Sequence, residues 1–126
     1  MTSGRVAGES FSRDDRLRKR REFEECYASG VRVSGRFLQL FVNWKSAQGR
    51  VRLGISIPRR AGKAVSRNRL RRRIREIFRR NRALLGAAGL DLVIQCRPQA
   101  ASASFPQLLE DYSDSVARAR HRRARP

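Results

Sequence analysis

The chain has 126 residues, of which 30 are Lys or Arg and 11 are Asp or Glu, so its formal net charge at pH 7 is +19. A chain of this length is expected to form one domain, and so large a positive charge indicates a polyanionic partner that relieves the self-repulsion. No stretch approaches the ~20 consecutive apolar residues of a membrane span, and the polar first dozen residues do not form a secretion signal, so we expect a cytoplasmic protein.

Residues 1–14 are polar and are expected to form a flexible lead. The first helical periodicity lies in Leu17–Ser29, where Phe23 and Tyr27 are four residues apart and therefore share a face. Gly30 follows as a helix stop. The sequence thus predicts a first helix that ends at Ser29.

Two alternating segments follow, Arg36–Trp44 and Arg50–Ile57. Alternation of apolar side chains is typical of strands, and the turn-prone residues Lys45–Gly49 between them predict a β-hairpin. The second face of the first strand carries Phe37 and Phe41, which is unusually aromatic for a face exposed to solvent.

A basic loop, Arg59–Val65, leads to a predicted helix over Arg67–Arg82 with Ser66 as its N-cap. Residues 70, 74, 77 and 78 of this helix form one apolar stripe. Leu90–Cys96 alternates again and predicts a third strand, so that strand, helix and strand form a βαβ-like crossover.

A third helix is predicted to begin at Ser104, which can cap it while Gln107 answers from the third helical position. Its apolar stripe is Phe105, Leu108, Leu109, Tyr112 and Val116. The last residues, 118–126, are a basic run expected to be disordered unless a polyanion binds it. The predicted domain is therefore residues 15–117.

The cysteines, Cys26 and Cys96, are far apart and have no CxxC spacing. This pattern favours reduced, buried thiols over a disulfide framework or a zinc site.

The second helix is the segment that indicates function, because nine of its side chains are arginines and only Glu76 offsets them. Arg72, Arg75, Arg79 and Arg69 point away from the apolar stripe, so one face can pack while the other follows phosphates. Few lysines accompany these arginines, and the planar guanidinium suits phosphates and base edges. A solvated helix face, or arginine enrichment by a GC-rich genome, would be the simpler explanations.

The string from Arg59 to Glu76, RRAGKAVSRNRLRRRIRE, resembles the signature of the protein subunit of bacterial ribonuclease P. The resemblance extends in order over about Arg16 to Tyr112. It implies an α+β fold, a two-layer α/β sandwich of order αβββαβα with a left-handed βαβ crossover, against the usual right-handed rule. Val31–Ser34, or an irregular continuation of the sheet, is a candidate for the fourth strand.

The resemblance also implies a function. In this family the catalytic element is a large RNA, which with Mg²⁺ removes the 5′ leader of precursor tRNA, and the protein supplies binding. The implied partners are therefore the catalytic RNA subunit and precursor tRNA, with no membrane and no protein partner indicated. The implied RNA-binding residues are Arg59, Arg60, Lys63, Arg67, Asn68, Arg69, Arg71, Arg72 and Arg75.

The same resemblance places Phe23, Tyr27 and Phe41 in a cleft that holds the single-stranded leader. Unpaired bases stack on aromatic faces without demanding a sequence, which suits a leader that varies between tRNAs. Plain packing of helix against sheet explains Phe23 equally well, whereas Tyr27 and Phe41 are expected to be partly exposed.

Other functions are disfavoured. A protein nuclease needs gathered carboxylates or a positioned histidine, but the only histidine is His121 near the end of the chain, so no catalytic residue and no protein metal ligand are predicted. A ribosomal or nucleoid protein fits the composition equally well, and only the Arg-Asn-Arg segment after the Gly-containing loop argues against it. Binding to a membrane surface is weaker still, since the core needs the apolar stripe of the second helix.

Overall fold

The structure is a computed structural model that describes residues 15–124. The predicted lead, residues 1–14, and the last two residues of the predicted tail lie outside this range.

The described chain contains three α-helices and a four-stranded sheet in the order αβββαβα. The helices and strands are α1 (Arg20–Ser29), β1 (Val31–Ser34), β2 (Leu38–Ser46), β3 (Val51–Ser56), α2 (Ala64–Arg80), β4 (Gly89–Cys96) and α3 (Phe105–Ala124). Short 3₁₀ segments lie at Arg59–Ala61, Arg82–Leu85 and Pro98–Ser102. The α+β class and the element order expected from the family resemblance are confirmed.

The strand order across the sheet is β1-β2-β4-β3. The predicted hairpin of β2 with β3 is therefore wrong, because β4 lies between them, antiparallel to β2 and parallel to β3. Alternation along a strand shows which side chains share a face but not which strand is the neighbour. The short segment before β2 is confirmed as the fourth strand, since β1 pairs with β2 from Val31 opposite Val42 to Ser34 opposite Gln39.

The parallel pairing of β3 with β4 makes β3–α2–β4 the predicted βαβ unit. Helices α2 and α3 cover one face of the sheet, where Leu40, Leu92 and Ile94 are fully buried beneath Ile74 and Tyr112. Helix α1 lies on the opposite face and packs on Phe41 and Val93. Arg32 and Ser34 of β1 remain exposed.

Two helix starts differ from the sequence prediction. Helix α1 begins at Arg20 because the preceding residues are extended, with the Leu17 amide donating to the Leu53 carbonyl at 2.9 Å. Helix α2 begins at Ala64, so Ser66 lies in its first turn and does not cap it. The cause is Gly62, whose φ of 134° ends the 3₁₀ segment and lets Lys63 take the extended N-cap conformation.

The start of α3 is as predicted. The Ser104 amide donates to Gln107 Oε1 at 2.8 Å, and the Gln107 amide donates to Ser104 Oγ at 3.2 Å, which is a capping box. The predicted disordered tail is wrong for residues 118–124, which continue α3. Ala119 is buried against the core, so the basic run has an apolar residue that anchors it.

Cys26 and Cys96 are both free and buried, as expected. Burial raises the pKa of the Cys26 thiol to about 11 and that of Cys96 to about 12.

Candidate nucleic-acid interface

The apolar stripe of α2 is buried as predicted: Leu70, Ile74, Ile77 and Phe78 are each at most 2% exposed. This packing fixes the rotation of the helix and directs the arginines of its opposite side outward. We call residues Arg67, Asn68, Arg69, Arg71, Arg72 and Arg75 the arginine surface.

The arginines at the C-terminal end of α2 are held by the protein itself. Arg79 and Arg80 both form ion pairs with Glu76, and Arg82, just beyond the helix, donates to Asp15 at 2.9 Å. These guanidinium groups therefore already have carboxylate partners.

The arginine surface differs in its partners. The side chains of Arg69 and Arg72 are exposed and make no hydrogen bond or ion pair within residues 15–124, and the Arg71 side chain donates only to the neutral side chain of Asn68, at 3.2 Å. Arg67 is partly buried, and its Nε is a buried atom without a hydrogen-bond partner in that range.

The basic loop before α2 extends this surface. Arg59, Arg60 and Lys63 are exposed, and Arg60 lines an open hollow of about 300 Å³ that it shares with Gln39 of β2 and Gln95 of β4. The loop residues predicted to bind RNA thus lie next to α2 and face solvent.

The aromatic residues predicted to hold the leader are brought together by α1. Phe23, Tyr27 and Phe41 belong to one small apolar cluster, in which the rings of Tyr27 and Phe41 meet edge to face with centroids 4.8 Å apart. We call these three residues the aromatic cleft. Phe41 is only 8% exposed, so the expectation that it is partly exposed is wrong: the Tyr27 ring packs edge to face against it.

Helix α1 is held over the sheet by an ionic network that the sequence analysis missed. Arg52 on β3 donates to Glu22 at 2.7 Å and to both carboxylate oxygens of Asp91 at 3.1 Å. Burial would raise the pKa of Glu22, but the Lys19 amide and the Arg52 guanidinium outweigh it and lower that pKa. The network fixes α1, and with it Phe23, above β3.

The arginine surface and the aromatic cleft meet at the edge of β3. A hollow of about 200 Å³ is lined by Phe23 together with Arg71 and Arg75. Arg16 and Arg18, which sequence analysis did not single out, also line it, and the strand-like bridge of Arg16 to Leu53 holds them there. The signal that was available was the run of basic residues before α1.

The described lining of this hollow is positively charged. Among residues 15–124 it includes four arginines, Arg16, Arg18, Arg71 and Arg75. Burial lowers the pKa of Arg75, and the nearby guanidinium groups of Arg16 and Arg71 lower it further, which is the effect of like charges held close together.

The described residues contain no group of three or more His, Cys, Asp or Glu side chains that could hold a metal ion. Two of the acidic residues bind arginines: Asp15 pairs with Arg82 and Glu22 with Arg52. None of the helices in residues 15–124 has the length and apolar character needed to cross a membrane.

The chain is similar in sequence to known ribonuclease P proteins. The family model for ribonuclease P matches residues 11–120. The ribonuclease P protein component of Desulfosudis oleivorans is 37% identical over 99 residues, which cover 79% of this chain and 80% of that protein.

Solved structures agree in fold. The RNase P protein of Thermotoga maritima superposes with a TM-score of 0.72 at 30% identity, covering 82% of this chain and 96% of that one. The RNase P protein of Staphylococcus aureus gives a TM-score of 0.74 at 26% identity, covering 83% and 94%.

Proposed function

The chain belongs to the bacterial ribonuclease P protein family, and we propose that its arginine surface docks the catalytic RNA while its aromatic cleft holds the 5′ leader of precursor tRNA. Ribonuclease P is an endoribonuclease whose catalytic part is its RNA subunit. This chain is its protein component and acts with that RNA in forming the 5′ end of tRNA.

The observation that carries the proposal is the hollow at the β3 edge, which Phe23 lines together with Arg71 and Arg75. A base stacked on Phe23 would place its phosphate within reach of these guanidinium groups. A leader leaving the cleft would therefore pass directly onto the arginine surface, next to the catalytic RNA that this surface binds.

Docking of the catalytic RNA is supported by a difference in ion pairing between the arginines at the two ends of α2. Those at its C-terminal end pair with Glu76, whereas Arg69 and Arg72 have no partner within residues 15–124. Guanidinium groups bind phosphates through two parallel hydrogen bonds, and each phosphate neutralised releases counterions. Arg59, Arg60 and Lys63 would add phosphate contacts at the start of the helix.

Holding of the leader is supported by the chemistry of the cleft. Phe23 and Tyr27 are partly exposed, and Arg32 lies 6.0 Å from the centroid of Phe41. Stacking contributes about 1–3 kcal/mol per base and tolerates any sequence. A cleft of this kind distinguishes precursor from mature tRNA by the presence of a leader and not by its sequence.

We propose that Mg²⁺ acts with the RNA subunit, whose phosphates would be its ligands, since the described protein residues offer no metal-binding cluster. The contribution of this chain is then to bind: its cationic surface lowers the repulsion between substrate and catalytic RNA. Less Mg²⁺ would be needed for cleavage when the protein is present.

Reconstitution tests this proposal. Precursor tRNA is incubated at low Mg²⁺ with a bacterial catalytic RNA, with and without the protein, at a salt concentration where non-specific binding is weak. We expect cleavage at the mature 5′ end only when the protein is present. RNA binding without any gain in cleavage would contradict the proposal and favour a ribosomal or nucleoid role.

A further inference from the structure

A second basic hollow lies at the other end of the sheet. It has a volume of about 390 Å³ and is lined by Trp44, Arg120 and Arg123, by residues 85–88 and, at its rim, by the exposed Ala47. We call it the tryptophan hollow. Ligand sites commonly begin at roughly 300 Å³, so it is large enough for one nucleotide.

The arginines of this hollow are held by neutral groups. The Arg123 guanidinium lies 4.9 Å from the centroid of the Trp44 ring, and Arg120 donates to the Leu84 carbonyl at 2.8 Å. Neither has a carboxylate partner within residues 15–124, and no carboxylate lines the hollow. The nearby Asp114 is paired with Arg118. The hollow therefore holds two fixed guanidinium groups whose positive charge is not neutralised by a carboxylate within residues 15–124.

The tryptophan hollow is distant from the start of the arginine surface. Along β2, Leu38 pairs with Cys96 near the start of α2, whereas Trp44 pairs with Leu90 at the opposite end of the sheet. The six residue steps between them span roughly 20 Å. A ligand in this hollow would thus make a contact separate from those at the start of α2.

We infer that the tryptophan hollow binds one nucleotide of single-stranded RNA, with its phosphate on Arg120 and Arg123 and its base against Trp44. An indole beside guanidinium groups is the combination that recognises unpaired nucleotides, since the ring stacks with the base and the guanidinium forks bind the phosphate. The inference rests on the proposed function only in taking RNA as the partner. The strand it binds belongs either to the catalytic RNA or to precursor tRNA.

A purely structural role would use the same contacts differently. Arginines in the last turn of α3 offset the negative end of the helix dipole and fasten the helix to the body of the protein. Such a role predicts that their loss lowers stability but leaves RNA binding unchanged. The test therefore needs a signal that reports occupancy of the hollow.

Trp44 provides that signal because it is the only tryptophan in the chain. A short single-stranded oligoadenylate is titrated into the protein while the Trp44 fluorescence is followed, and its overall binding is followed by anisotropy of a labelled copy. We expect the oligoadenylate to quench Trp44, and Arg120→Gln with Arg123→Gln to weaken the quenching transition by about tenfold. Arg67→Ala with Arg69→Ala should leave the quenching in place.

A matched control removes the same charge elsewhere. Arg36 stacks on Phe37 at 4.8 Å, much as Arg123 stacks on Trp44, and Arg20 is an exposed arginine of α1. The double variant Arg20→Gln with Arg36→Gln should quench like the wild type. Oligoadenylate that binds without changing Trp44 fluorescence, or quenching that survives loss of Arg120 and Arg123, would overturn the inference.

Cross-linking identifies the strand and does not depend on the arginine variants. Both natural cysteines are buried, so Ala47→Cys at the rim can be labelled selectively with a photoreactive group. In the assembled holoenzyme with precursor tRNA, a cross-link to either RNA supports the inference and shows which one occupies the hollow. Cleavage activity without a cross-link to either RNA would overturn it while leaving the proposed function intact.

Discussion

The ring of Phe23 lies directly on Gly54, so close that a Cβ on residue 54 would stand 2.6 Å from Phe23 Cζ. Because Gly54 has no side chain, the Phe23 ring of α1 can lie directly against the backbone of β3. The glycine therefore sets how deep the ring sits and how wide the aromatic cleft is.

Gly54→Ala is expected to displace the Phe23 ring without touching the arginine surface. The holoenzyme should lose part of its preference for precursor over mature tRNA, by about fivefold or more, because stacking depends on the position of the ring. Equilibrium binding of both tRNAs to the assembled holoenzyme measures this, and assembly with the catalytic RNA should stay normal.

A second variant separates ring position from stability. Gly54→Ala combined with Phe23→Leu relieves the clash, so we expect it to recover folding stability but not the preference for precursor. Recovery of both would mean that Phe23 serves packing alone.

Arg67→Ala with Arg69→Ala should weaken assembly with the catalytic RNA by about tenfold or more. The Arg69 side chain is exposed and has no partner within residues 15–124, so it is available to phosphates, and Arg67 lies two residues before it on the same helix. The slope of log K against log salt should also become shallower, by about 0.7–0.9 for each phosphate that the variant no longer neutralises. A filter-binding series over salt concentration measures both quantities.

The control for this pair lies on the same helix. Arg79→Ala with Arg80→Ala removes the same charge from residues that already pair with Glu76. Equal weakening by the two pairs would show that α2 contributes only bulk charge.

Asp111 on α3 fixes the turn between β1 and β2, since its carboxylate accepts hydrogen bonds from the amides of Arg36, Phe37 and Leu38 at 2.9–3.0 Å. Asp111→Ala should lower the free energy of unfolding by roughly 2–3 kcal/mol, because bonds to a charged acceptor are the stronger kind. Asp114→Ala, one turn further on, breaks only an exposed ion pair with Arg118 and should cost less than about 1 kcal/mol. Urea denaturation of the two variants tests the contrast.

Acid should loosen α1. The pKa of Glu22 is lowered in the folded protein from its ordinary value of 4.5, so its contribution to stability is complete above pH 4.5 and is lost as the pH falls through the folded pKa. Glu22→Gln is expected to make the free energy of unfolding less dependent on pH in that range. Parallel pH curves for variant and wild type would contradict the role given to the Glu22–Arg52 pair.

Periodicity and end signals predicted most elements, but not their neighbours. The stripe of Leu70, Ile74 and Phe78 was enough to orient α2, since a helix buries whatever face is apolar. The pairing of β2 with β4 was not predictable in this way, because strand alternation carries no information on partners and the short connection favoured a hairpin.

The two errors near binding surfaces have a common cause. The high charge of residues 118–124 predicted disorder, and the aromatic character of the strand face predicted an exposed Phe41. The helical structure of the first and the burial of the second depend on contacts with residues distant in sequence. Ala119 packs in the core and Arg123 stacks on Trp44, while Tyr27 packs against Phe41. Such contacts appear only once the fold is known.

The assignment of the catalytic RNA to the arginine surface and of the leader to the aromatic cleft is tested most directly by varying the length of the leader. Precursor tRNAs with leaders shortened stepwise to none are bound to the holoenzyme carrying wild-type protein or Phe23→Ala. We predict that affinity rises with leader length for the wild type. In the Phe23→Ala holoenzyme, the binding free energy gained from the full leader should be smaller by about 1–3 kcal/mol, while the affinity for mature tRNA is unchanged. An undiminished dependence on leader length in the Phe23→Ala holoenzyme would contradict the assignment of the leader to the aromatic cleft.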